Sequence, residues 1–265
     1  MTGSDENIFK TYNNAAKALV GGLTKARAME LSRHQPQGTI SSASIKNLFE
    51  SLACDGWKGQ TGTNWVWHDR VEMPSVKNSS DEVLLERAVA VRDVKKWTYQ
   101  MSTSSGLQII QGRTRRVNLN SRRAIDLVRC LRARHYAFVE LKVGSDNPLF
   151  AAFEILGYAL AYLHARANGW TGTREPDVFD AEHVELTILG HKDWYEYGKG
   201  GPNKRVEFKL DWLAKEIETS LNAFVMDEFK GKPTFSMVFR QYSGENTDQR
   251  AKEIHHLAEH DWWKH

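Results

Sequence analysis

The spacing of apolar positions changes period several times along the chain, and each change predicts an element. In "AIDLVRCL" (124–131) and "HYAFVELKV" (135–143) apolar residues alternate or run on over strand length. The short link around "RARH" joins them as an antiparallel hairpin. Upstream, "SSDEVLLERAVAV" places Ser79 and Glu82 in capping-box spacing ahead of a helical period, so a helix is expected to start near residue 80. "WTYQMS" and "LQII" read as short strands about a "TSSG" turn. Beyond the hairpin, "NPLFAAFEILGYALAYLHARA" is a helix with proline in its first turn. A strand at "HVELTILG", a turn at "GKGG", a helix at "DWLAKEIETSLNAFV", a strand at "TFSMVFRQ" and a terminal helix complete the pattern.

The N-terminal part is less regular. Residues 6–33 read as helical with a break at Gly21 and Gly22, "SASIKNLFESLAC" as a second helix with a serine cap, and the Gly- and Trp-rich residues 55–78 as holding one strand around Trp65 to Val71. The whole predicts an α/β chain: a helical or irregular segment over 1–78, then a mixed sheet covered by helices over 79–265.

Composition adds limits. With 41% hydrophobic and 26% charged residues, the 265-residue chain can bury a core and is not expected to be disordered. The opening "MTGSDENIFK" has no basic segment leading into an apolar one, so no secretory signal is visible. The longest apolar stretch, "PLFAAFEILGYALAYLHA", is interrupted by Glu154 and falls short of the roughly 20 residues of a membrane span. Cys54 and Cys130 make neither a disulfide framework nor a zinc set. A cytoplasmic protein without a membrane partner is the expectation.

Charge changes the picture more. Net charge is only +3, yet residues 112–135 hold eight arginines against one acid, Asp126. The stretch is therefore +7 and the remainder of the chain is negative, which concentrates positive charge where a polyanion could meet it. Arg113, Arg115, Arg116, Arg122 and Arg123 are the candidate nucleic-acid contacts. A solvated basic surface is the alternative.

The candidate chemistry sits in "FVELKV". Glu140 and Lys142 share a face of one strand, and burying both is costly without partners. An internal ion pair would satisfy them, and so would a metal-dependent site. If the hairpin centres on Ala133, Asp126 lies opposite Glu140, and two carboxylates so placed repel unless a cation or proton intervenes. A hard divalent ion such as Mg²⁺ suits one or two carboxylates with waters. Lys142, one pleat further on, could orient a bound water or offset charge on a phosphate.

Asp126, the hairpin, Glu140-Leu141-Lys142 and the following amphipathic helix resemble the PD-(D/E)XK nuclease superfamily, over residues of about 80–165. The resemblance implies a restriction-endonuclease-like mixed sheet with an antiparallel hairpin core flanked by helices. It implies one or two Mg²⁺ ions, with Mn²⁺ as substitute, on Asp126 and Glu140, and Lys142 serving the attacking water. Glu86, with Glu82 as substitute, matches the glutamate of the preceding helix, and Glu154 with Tyr158 matches a supporting pair four apart on the next. Ile125 stands where the name-giving proline would be. The implied activity is an endonuclease acting on DNA rather than RNA, with homodimerisation common in the family. A catalytically inactive nucleic-acid-binding or scaffold protein on the same fold is the competing expectation.

Other signals are weaker. "HLAEH" (256–260) has two histidines on one helix face but no third zinc ligand downstream. "YGKGG" lacks the ending of a phosphate loop and reads as a turn. Trp57, Trp65 and Trp67 could stack on bases but read better as core.

Overall fold

The computed structural model describes residues 14–36, 38, 40–54, 64–73, 79–103, 124–144, 146–168, 177–197 and 206–260. Its centre is a five-stranded mixed sheet in the order β1-β2-β3-β4-β7, made of β1 (Trp97–Ser102), β2 (Ala124–Arg132), β3 (His135–Lys142), β4 (His183–His191) and β7 (Thr234–Tyr242). β1, β2 and β3 are antiparallel neighbours, whereas β3, β4 and β7 run parallel. Two short segments, β5 (Glu196–Tyr197) and β6 (Val206–Glu207), pair separately. The "LQII" strand and Ser104 to Gly106 of the "TSSG" turn expected after β1 lie outside the described residues, as do Gly198 to Gly201 of the "YGKGG" turn.

Helices cover both faces because the strands bury both. Even-numbered residues of β3 such as Tyr136 and Phe138 join one apolar cluster with α4 (Pro148–Ala167) and α5 (Asp211–Phe229). Ala137, Val139 and Leu141 join another with α3 (Asp81–Ala90) and α6 (Thr247–His260). A helical stretch at 14–20, α1 (Lys25–Arg33) and α2 (Ser42–Cys54) extend the first cluster through Ala16, Leu31 and Leu48. Gly21 and Gly22, at φ 75° and 136°, break the helical path as expected. Among the described residues, one helix, α4, is long and apolar enough to cross a membrane, and 83% of its apolar window is buried inside the fold.

Local chemistry explains where the helices that carry the site begin. The cap of α3 is Ser80 rather than Ser79: its side chain accepts from Val83 N, and Asp81 and Glu82 complement the positive end of the helix. Asn147 caps α4 by accepting from Leu149 N and Phe150 N, with Pro148 in the first turn. The strand expected around Trp65 to Val71 is absent from the described residues 64–73. Trp65 takes φ 57°, a left-handed conformation foreign to a strand, and its N–H bonds Ser102 O at 2.8 Å while Trp65 and Trp67 bury their rings in the core.

Candidate active site

The β2–β3 hairpin fixes the centre of the site. Ala133 and Arg134 form the turn, with Arg134 at φ 61°, and Arg132 pairs His135. A bulge between Cys130 and Arg132 then shifts the register by one, giving Cys130–Tyr136 through Leu127–Val139. Carried one residue further, this register sets Asp126 opposite Glu140, as a turn centred on Ala133 requires. The ladder ends just before that pair, and Asp126 Oδ2 accepts from Leu141 N at 2.9 Å.

A second irregularity lies on the other side of Asp126. β1 and β2 pair at Tyr99–Leu127 and Met101–Ile125 but not at Gln100–Asp126, where Gln100 takes φ 46°. Tyr99 and Leu127 belong to the α3/α6 cluster, Met101 and Ile125 to the α4/α5 cluster, so the apolar side chains change core across this point. The Gln100 amide donates to Glu86 Oε2 at 2.6 Å and reaches Asp126 Oδ1 at 3.5 Å. Gln100 is a site residue that sequence reasoning missed. Its only signal was a polar position in β1 opposite Asp126, and alternation alone makes such positions ordinary.

Lys142 Nζ lies 2.6 Å from Glu140 Oε1 and 3.3 Å from Glu154 Oε2. The structure therefore gathers Asp126, Glu140, Lys142, Glu86 and Glu154 in one region, between α3, α4 and the carboxyl end of β3. Glu82 joins them by accepting from Val143 N at 3.1 Å, and Tyr242 OH holds Lys142 O at 3.1 Å. Tyr158, one turn beyond Glu154, is buried in the α4 core. Arg113, Arg115, Arg116, Arg122 and Arg123 lie outside the described residues. Of the other arginines in that run, Arg129 is buried near the Trp97 ring, and Arg134 pairs with Glu182 at 2.8 Å, so these two serve the fold.

Electrostatics at this point are unbalanced. Glu86 is 2% exposed, Glu140 2% and Lys142 6%. Burial, reinforced by Asp126, holds the carboxyls of Glu86 and Glu140 well above the usual range. Burial likewise pushes Asp126 up to about 7, against the Lys142 charge and the Leu141 N–H, although part of its surface stays open to solvent. For Lys142, burial opposes the charged form, but Glu140, Glu154 and Asp126 outweigh it and raise its pKa. The lysine is thus a fixed cation at neutral pH, suited to stabilising negative charge rather than accepting a proton.

The donors suit a hard divalent ion in type and charge. Glu140 Oε2 is buried and has no hydrogen-bond partner among the described residues, and several carboxylates face a single ammonium. Among the described residues no three His, Cys, Asp or Glu side chains converge as a metal-ligand set. The reason is geometric: Lys142 closes on Glu140 Oε1, and one oxygen of Asp126 is spent on Leu141 N.

The other sequence signals lie elsewhere. His256 and His260 do face one another on α6, with ring centroids 4.5 Å apart, but Glu259 is engaged near His255 and Lys96. His135 lies at the far end of β3 beside His183, ring centroids 5.6 Å apart.

Comparison with protein-family models, curated proteins and solved structures finds no match for this chain.

Proposed function

We propose that the chain is a divalent-metal-dependent phosphodiesterase, a nuclease acting on DNA in preference to RNA. The observation that carries the reading is the meeting of Asp126, Glu140 and Lys142 at one point, with Glu140 Oε2 left without a donor among the described residues. The element order α3, antiparallel β1-β2-β3, α4 and parallel β4 supports a restriction-endonuclease-like reading of the fold.

In this mechanism Asp126 and Glu140 would hold Mg²⁺, with Mn²⁺ as substitute. The ion would acidify a water and offset phosphate charge. Lys142, charged because three carboxylates surround it, stabilises the oxyanion that develops on the phosphate. Glu154 and the Tyr242 hydrogen bond to the Lys142 carbonyl position the ammonium. Gln100 holds Glu86 beside Asp126 and keeps that second carboxylate available. Attack of water on phosphorus would form one P–O bond as another breaks, the attacking water giving a proton to solvent and the leaving oxygen taking one from it.

The test is incubation of purified protein with plasmid, linear and single-stranded DNA in Mg²⁺ or Mn²⁺, beside Asp126→Ala and Lys142→Ala. Cleavage by wild type alone is expected. Equal degradation by all three rejects the assignment.

A second reading has its own observation. The Lys142–Glu140 contact is closed and almost inaccessible, which is also how a purely structural ion pair looks. On that reading the protein binds nucleic acid or serves as a scaffold, with salt-dependent affinity and no response to divalent ions.

A further inference from the structure

The rows of the parallel strands link the candidate site to residues that line a cavity two strands away. Glu140 pairs Ile188 on β4, which pairs Phe239 on β7, and Lys142 pairs Gly190, which pairs Gln241. Phe239 and Gln241 therefore lie on the same two rows, and the same sheet face, as Glu140 and Lys142. Two strand spacings separate them, about 10 Å. At that point Tyr195, Phe208, Phe239, Glu207, Lys209 and Gln241 line a cavity of about 290 Å³, at the low end of small-molecule sites. It lies at the carboxyl ends of parallel strands, where α/β sheets commonly take ligands.

Gly190 makes the arrangement possible. A Cβ there would come within 2.3 Å of the Trp194 ring and 2.9 Å of the Tyr195 ring. With no side chain, the middle position of the row is given to those rings, and Tyr195 is fixed by its hydroxyl on Ile188 O at 2.9 Å. Tyr195 and Phe239 stand edge to face, centroids 6.3 Å apart.

We propose that this cavity takes an unpaired nucleobase from the strand whose phosphate lies at Lys142, so that the substrate is single-stranded or locally unpaired nucleic acid. The inference rests on the nuclease reading above. Aromatic walls suit the flat face of a base, which stacks with little regard to sequence. The Glu207 carboxylate repels a phosphate but accepts from the N–H edge of a base, while Gln241 can both donate and accept. A duplex base could enter only after leaving its stack.

The experiment uses Asp126→Asn protein, expected not to cleave, and single-stranded 12-mers carrying 2-aminopurine or an abasic residue walked along the sequence. One position is expected to change 2-aminopurine fluorescence on binding, and an abasic residue there to weaken affinity about tenfold. Phe239→Leu, or Gln241→Ala should the first variant fold poorly, is expected to reduce that penalty. Equal affinity for intact and abasic strands at every position overturns the proposal. Cleavage of the same 12-mers, or of plasmid DNA, by wild type in Mg²⁺ would then leave the nuclease reading standing, whereas 12-mers neither bound nor cut and plasmid left intact reject both.

Discussion

Lys142 Nζ and Glu140 Oε1, two residues apart on one face of β3, are 2.6 Å from each other and nearly sealed from solvent. Removing one partner leaves the other's charge buried. Lys142→Met is therefore expected to cost about 3–5 kcal/mol, and the double variant with Glu140→Gln to recover most of it. Urea denaturation of the four proteins measures the coupling, and an additive double variant contradicts it.

Stability is expected to fall as pH rises through neutrality. Asp126 is raised in the folded chain to about 7 from 3.8, so the folded state binds more protons across that interval. Its favourable contribution is complete below about pH 4 and is lost as pH climbs through about 7. Glu86 and Glu140, displaced in the same direction, extend the decline. Asp126→Asn keeps an acceptor for Leu141 N and removes a titrating charge, so it should flatten the slope and stabilise the protein at pH 8 by on the order of 2–4 kcal/mol. Thermal melts from pH 4 to 8 check this; an unchanged slope contradicts it.

If Asp126 and Glu140 hold a divalent ion, ion and protons compete for the same oxygens. Mn²⁺ at about 100 times its dissociation constant would stabilise by about 2.7 kcal/mol, a rise in Tm on the order of 5 °C. The rise is expected to be larger at pH 8 than at pH 6 and to vanish in Glu140→Gln. A shift that survives Glu140→Gln places the ion elsewhere.

Gln100 keeps Glu86 from rising further. Its amide hydrogen bond lowers the Glu86 pKa against burial and the Asp126 charge. In Gln100→Ala the acidic limb of the pH–rate profile should move to higher pH, with little change in the rate at its plateau. A uniform loss of rate at all pH values would point to structural damage instead.

The hairpin was readable because its information is local. Alternation fixed β2 and β3, and the expected centre at Ala133 survives in an instructive way: the turn alone would have displaced the register by one, and the bulge before Arg132 restores it. The helices that carry Glu86 and Glu154 were likewise visible from caps and period. What escaped depends on distant contacts. The left-handed Trp65 bonds Ser102 O, Gln100 at φ 46° turns its amide to carboxylates from two other elements, and the rows joining Lys142 to Gln241 come from parallel strands far apart in sequence. The choice of Ser80 over Ser79 shows how small an error in a cap can be, since adjacent serines offer the same chemistry one residue apart.

The bulged Leu131 acts as a vernier for everything at the other end of its strand. Were Leu131 to take a place in the ladder opposite Tyr136 instead of bulging, β2 would slide one notch, bringing Leu127 instead of Asp126 across from Glu140 and exchanging the faces of the whole strand. The acidic meeting point thus owes its alignment to a surplus residue with no charge and no part in the chemistry, a dependence that substitutions confined to the polar cluster would never reveal.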